Sequence, residues 1–226
     1  MSDQIISAPI SPQRARKIYD FASRFYDYFT KYEIGPKKRG LDVAGIMPGH
    51  VVLEIGFGTG QILVELARRV KEDGRVCGID ISPKMLEKTE MLLKKHGLSD
   101  RVDLQLGDAR RLPHEDDVFD VVFNSYMLDL IDTQEIPTVL AEFKRVLKPE
   151  GRLVLVNMTK GERGYTNMKL YERIYKQCPS LLGGCRPVLI KPFLHKLGLC
   201  NVKREFVLAG HILPSEIVWG EKPKDN

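Results

Sequence analysis

Val51-Val-Leu-Glu-Ile-Gly-Phe-Gly-Thr-Gly60 is an apolar run of strand length that breaks into three alternate glycines. An amphipathic helix follows directly, with Ile62, Leu63, Leu66, Ala67 and Val70 on one face. The stretch therefore reads as strand, tight turn and helix, a unit in which bare backbone approaches a ligand closely. Glu54 stands two residues before the first glycine, at the end of the strand. A pyrophosphate would be repelled by a carboxylate there, whereas an ammonium group would be attracted. Beyond the helix, Arg75-Val-Cys-Gly-Ile-Asp80 ends a second strand in an acid, placed to accept hydrogen bonds from ribose hydroxyls. These residues describe a nucleoside with a cationic tail.

Strand and helix patterns alternate outward from this unit. Strands are expected at 50–55, 75–80, 101–106, 118–123 and 151–157, and helices at 60–71, 82–96 and 134–147. Such alternation argues for an α/β fold whose parallel sheet carries helices on both faces, with ligands beyond the carboxyl ends of its strands. Glu54, Asp80, Asp108 and Asn124 all fall at those ends. Further on, 164–177 and 186–197 look helical. Asn201–Leu208 and Ile212–Trp219 read as strands joined by the short turn Ala209-Gly-His211, an antiparallel hairpin. Upstream, Ser11-Pro12 starts a helix whose apolar face holds Ile18, Phe21, Ala22, Phe25 and Phe29, and Gly35-Pro36 is expected to break it. The chain thus divides into an N-terminal helical segment (1–45), a main domain (46–220) and a short tail (221–226).

With these elements in place, the chain resembles the class I S-adenosylmethionine-dependent methyltransferases from about residue 15 to the end. S-adenosylmethionine is a nucleoside with a cationic tail. Glu54-Ile-Gly-Phe-Gly-Thr-Gly60 stands as that family's first motif and Gly78-Ile-Asp80-Ile-Ser82 as its ribose-binding acid. Gly107-Asp108-Ala109 stands at the adenine, Phe119–Phe123 as the fourth strand, and Leu147–Arg152 as the turn into the fifth. The resemblance implies a Rossmann-like seven-stranded, mostly parallel sheet closed by a C-terminal antiparallel hairpin, and S-adenosyl-L-methionine as cofactor. It assigns the cofactor to Glu54, Gly56, Phe57, Gly58, Gly60, Asp80, Ile81, Met85, Gly107, Asp108, Ala109, Asn124 and Ser125. Tyr19-Asp20 and Tyr26-Asp27 are similar to a repeat in related small-molecule and lipid methyltransferases, which makes Tyr19 and Tyr26 lid residues over the cofactor, or plain packing residues. The Tyr-Asp repeat, Val154–Asn157 and Leu213–Val218 look most like the branch of quinone C-methyltransferases and phosphatidylethanolamine N-methyltransferases. A small-molecule or lipid-like acceptor follows from that likeness.

Composition agrees with an enzyme of this kind. Hydrophobic residues make up 43% and charged residues 29% of 226, ordinary for one globular domain. No apolar run reaches membrane-spanning length, and no secretory signal is legible, so a cytoplasmic location is expected, with membrane association open. The four cysteines show no metal spacing, so no metal site is expected. Net charge is +5, and residues 11–40 hold eight Lys or Arg against three acids. That excess is either a solvated helix face or a surface for anionic lipid or substrate; nucleic acid is not expected.

Methyl transfer needs alignment and exclusion of water more than a fixed triad, and no triad is legible. Asn124-Ser125-Tyr126 lacks the two prolines of the Asp/Asn-Pro-Pro-Tyr/Phe motif of nucleic-acid amino methyltransferases, which makes exocyclic base amines poor acceptors. Asp129 is a possible general base or an exposed turn carboxylate, and His195 is the histidine best placed to line a substrate pocket. Tyr165-Thr-Asn-Met-Lys169 matches the Tyr-x-x-x-Lys pair of NAD(P)-dependent short-chain dehydrogenases, but their glycine spacing and upstream serine are missing. A non-catalytic nucleoside-binding module is the other alternative; the intact Glu54, glycine and Asp80 set argues against it. The acceptor atom and the oligomeric state are not legible.

Overall fold

The computed structural model describes residues 30–160, 171, 173, 175, 177, 185–209 and 213–224. Seven strands form one sheet in the order β3-β2-β1-β4-β5-β7-β6. They are β1 (Val51–Ile55), β2 (Arg75–Asp80), β3 (Val102–Leu106), β4 (Phe119–Ser125), β5 (Leu147–Met158), β6 (Cys200–Ala209) and β7 (Leu213–Glu221). β1 through β5 pair in parallel, and β7 runs antiparallel to both β5 and β6. The expected hairpin is present, and its return strand β7 fills the gap between β5 and the edge strand β6.

Helices α1 (Ile34–Val43), α2 (Gln61–Val70), α3 (Pro83–His96), α4 (Ile136–Val146) and α5 (Lys191–Lys196) cover the sheet. Strand alternation splits the core in two. Val52, Phe123, Val154 and Val156 face a layer with Leu41 of α1 and Leu63 of α2, while Leu53, Ile55, Val122 and Leu155 face α4 and α5. Glu54 shares the parity of Val52, so it lies on the α1/α2 side. Leu41 and Ala44 belong to that same packed layer, so the helix ahead of β1 packs with the sheet.

Gly35-Pro36 sits in the first turn of α1, where the missing proline N–H has no intrahelical partner to lose; the upstream helix it was expected to end lies outside the described residues. One expectation about local structure is corrected. The helix expected at 186–197 shortens to Lys191–Lys196. Residues ahead of it lie extended instead, with Val188 N–H donating to the Met158 carbonyl at 2.9 Å. Pro187 favours that extended approach, and Pro192 sits in the first turn of α5. Tyr171, Arg173, Tyr175 and Gln177 are helical, as expected for that stretch. Tyr19, Tyr26, the Tyr165–Lys169 pair and His211 lie outside the described residues.

Candidate active site

The glycine turn after β1 is held by backbone geometry that its sequence makes possible. Gly56, Gly58 and Gly60 all adopt positive φ, at 73°, 55° and 80°. Gly56 N–H continues the ladder to the Ile79 carbonyl at 2.7 Å. A Cβ on Gly56 would lie 2.9 Å from Met127, and one on Gly60 2.5 Å from Thr89, so larger residues are excluded on two counts. Gly58 N–H instead donates to Asp80 Oδ2 at 2.9 Å, and Ser82 N–H donates to Oδ1 at 2.9 Å. Asp80 thus ties the glycine turn to the start of α3, whose N-cap is Ser82. Gly107 N–H reaches the Asp80 carbonyl at 3.0 Å and draws the third strand end to the same place.

These strand ends enclose a cleft of about 840 Å³, counting its open mouth. Gly56, Gly58, Asp80, Ile81, Gly107, Asp108, Ala109 and Ser125 line it, all of them expected from the sequence. Five other expected residues are not among the lining residues, and Glu54, described below, is one of them. Phe57 and Met85 turn into the core, Gly60 forms the α2 cap, and buried Asn124 donates to the Ile55 carbonyl at 2.7 Å. His195 is exposed on α5 and is not among the lining residues; Leu194 is the side chain turned inward.

Glu54 is buried, and its Oε2 has no hydrogen-bond partner. Burial pushes its carboxyl well above the ordinary carboxylate range; the Lys37 charge pulls the other way, and Asp80 adds to the rise. An unpaired carboxylate oxygen at such a depth costs free energy until a cation or N–H donor meets it. The observation agrees with the ammonium end of S-adenosylmethionine, and the Gly56–Gly60 turn leaves bare backbone beside it. The residues present fit that cofactor.

Sequence reading missed the rest of the lining: Ile55, Ile79, Arg110, Tyr126, Met127, Leu130, Ile131 and Glu135. Tyr126 through Ile131 directly follow the β4 end, so the strand-end rule could have been carried on to them. Tyr126 holds φ at 54°, with its N–H on the Val156 carbonyl and its hydroxyl 2.8 Å from Ser215 Oγ. Arg110 grips Asp108 through Nε and Nη2 at 2.9 and 2.6 Å and reaches Glu135 at 2.9 Å. Burial works to raise the Asp108 carboxyl, but the hydrogen bonds and charge of Arg110 outweigh it and leave it below its ordinary value.

Asp129 is not the exposed turn carboxylate that was one reading of it. It is fully buried in the turn Leu128–Leu130, with Oδ2 accepting from Met158 N–H at 2.9 Å. Its neighbours Leu130 and Ile131 line the cleft and it does not.

The comparisons agree with this geometry. A family model described as a methyltransferase domain matches residues 52–151. Residues 52–151 form a methyltransferase domain, and the findings support an enzyme of the class I S-adenosylmethionine-dependent type. A ubiquinone/menaquinone biosynthesis C-methyltransferase, UbiE, from Hydrogenovibrio crunogenus is 34% identical over 124 residues, 55% of this chain and 48% of that protein. The chain spans about half the length of the curated relatives it matches. Among solved structures, a SAM-dependent methyltransferase from Aquifex aeolicus shares the fold at TM-score 0.62, with 22% identity over 94% of this chain and 98% of that one. The [4+2]-cyclase SpnF shares it at TM-score 0.76 and 20% identity, over 99% of this chain and 100% of that one. The dehydrogenase alternative finds no support. Among the described residues no helix is long and apolar enough to cross a membrane.

Proposed function

We propose that this methyltransferase transfers a methyl group to a small-molecule or lipid-like acceptor of quinol or phenol type. When bound, S-adenosylmethionine supplies a sulfonium methyl; transfer breaks its S–CH3 bond, forms a bond to the acceptor, which loses a proton, and leaves S-adenosylhomocysteine. The observation that carries the reading is the unpaired Glu54 Oε2, buried beside the glycine turn and within the influence of Asp80. In this reading Glu54 receives the ammonium, Asp80 and Ile81 hold the ribose, and Gly107, Asp108 and Ala109 meet the adenine. Gly56 and Gly58 admit the tail, and Phe57, Gly60, Met85 and Asn124 fix the turn from behind.

The acceptor class is favoured by two things. Met127, Leu130 and Ile131 form an apolar wall on the β4 side of the cleft, and a relative carries the name of a quinone C-methyltransferase. Such a wall excludes water from the methyl path and accepts a ring or prenyl chain. A phenol needs little help to ionise, so a dedicated base is dispensable. Asp129, behind that wall, acts as a positioning residue.

Isothermal titration should show S-adenosylmethionine binding and no NAD binding, and the reverse result would overturn the assignment. Radiolabelled methyl transfer should then be screened against quinol precursors, phenols and aminophospholipids. Labelling confined to aminophospholipids would move the acceptor class. Cofactor binding without transfer to any acceptor would favour a fold that, as in the cyclase, carries other chemistry.

A further inference from the structure

The amino-acid tail of S-adenosylmethionine is a zwitterion, and a site with a buried carboxylate satisfies only half of it. The tail's own carboxylate would be repelled by Glu54 unless a cation stood nearby. The geometry points to Lys37. We propose that Lys37 binds the tail carboxylate, so that Glu54 and Lys37 together clamp the two charges of the amino acid; this rests on the cofactor reading above.

Four observations converge on this residue. Glu54 and α1 occupy the same face of the sheet. Gly40, one helical turn past Lys37, is pressed against the sheet, since a Cβ there would lie 2.6 Å from Val156 and 3.2 Å from Phe123. Lys37 Nζ stands 5.4 Å from the ring centroid of Tyr126, which lines the cleft. Among the described residues it is also the cation whose charge acts on Glu54. The alternative cation on the cleft wall, Arg110, is held by Asp108 and Glu135 beside the third strand end.

Lys37 now rests on Glu33, one turn earlier on the same helix, at 2.7 Å, with 15% of its side chain exposed. An i, i+4 pair within one helix holds its lysine only loosely, and an ammonium has three donors on a flexible stem. A short swing toward the cleft therefore exchanges one carboxylate partner for another. The swing gives α1, a helix outside the glycine motif, a direct share in cofactor recognition.

The test compares two ligands by titration calorimetry: S-adenosylhomocysteine and its decarboxylated counterpart, S-adenosyl-3-thiopropylamine, which lacks only the carboxylate. The unaltered protein should prefer the carboxylated ligand by about tenfold or more, the scale of a charge-assisted hydrogen bond. Lys37→Met should abolish that preference while leaving affinity for the amine within about twofold, and Lys37→Arg should restore it. An equal loss for both ligands, or an unchanged preference in Lys37→Met, would overturn the inference. If the unaltered protein binds neither ligand, the cofactor reading itself fails; if it binds both and Lys37→Met changes nothing, only the clamp fails. Circular dichroism on Lys37→Met guards against misfolding as the cause of a loss.

Discussion

The backbone N–H of Arg186 donates to the carbonyl of Asp129 at 3.2 Å, while the side chains of the two residues, both buried, each keep polar atoms without a partner. Asp129 Oδ1 is unpaired, and so are Arg186 Nε and Nη1; Nη2 donates to the Ile131 carbonyl. Burial pushes Asp129 well above its ordinary range, Met158 N–H and Arg186 resist that, and Glu33 and Glu216 reinforce it. Desolvation lowers the Arg186 guanidinium in turn, against the charge of Asp129. Arg186 is therefore the costlier of the two to leave alone.

Arg186→Met should show which partner matters for the fold. Removing the guanidinium frees the Ile131 carbonyl and takes away the charge beside Asp129, a change expected to cost about 3–5 kcal/mol. Asp129→Asn keeps an acceptor for Met158 and should cost less. Urea unfolding of both proteins gives the comparison, and a larger loss from Asp129→Asn would reverse the roles assigned here.

Activity separates positioning from proton transfer. A general base contributes about 10²–10⁴-fold, so its loss would lower kcat by that factor with KM unchanged. A positioning role for Asp129 predicts less than about tenfold in kcat for Asp129→Asn, with KM rising as the Leu130–Ile131 wall shifts.

Stability should depend on pH through the same buried acids. In the unfolded chain Glu54 and Asp129 ionise near pH 4, whereas both are raised in the fold. The unfolded state then binds fewer protons over the interval between, so stability is full below about pH 4 and falls as pH rises toward the folded values. Pairing Glu54→Gln with Asp129→Asn should flatten that decline in a urea–pH series.

Cofactor binding should release a proton. A ligand ammonium at Glu54 stabilises the carboxylate and lowers its raised pKa, so affinity should grow as pH rises through the value in the free protein. Titration heats in buffers of different ionisation enthalpy measure the release directly. Glu54→Gln should abolish it and weaken binding by about 1–3 kcal/mol.

Gly56→Ala should damage both fold and site. Its φ of 73° and the 2.9 Å approach to Met127 together cost about 1–3 kcal/mol or more. Gly49→Ala is the control, since Gly49 has φ of 85° but nothing within 4 Å of the added carbon. Both variants should lose stability, and only Gly56→Ala should lose affinity for S-adenosylhomocysteine.

What the sequence made legible follows the range over which its signals act. The β1 turn and Asp80 were readable because an apolar run, a glycine spacing and a terminal acid are local patterns. Tyr126 was not, because nothing in a tyrosine announces φ of 54°; the Val156 carbonyl and Ser215, far along the chain, hold it there. Asp129 misled for the same reason. A turn carboxylate reads as exposed until the end of β5 and residues 186–188 are brought to it. Glu135 and Lys37 carry no local signal at all, since their relation to the cleft depends on where α4 and α1 cross the sheet. Arg186-Pro187 showed helix-like neighbours, and tertiary hydrogen bonds along Met158 drew it straight.

The place of β7 between β5 and β6 has a bearing on how the protein is made. Synthesis reaches β6 before the strand that joins it to the sheet, so β6 emerges with no neighbour of its own and β5 waits with an open edge. Strands β1 to β4 complete their pairing much earlier. A chain halted short of residue 213 would hold a formed glycine turn, an unpaired β6 and a β5 open along one edge. Of all stages in the life of this chain, that interval is the one most exposed to edge-to-edge association, and the one where a chaperone would matter most.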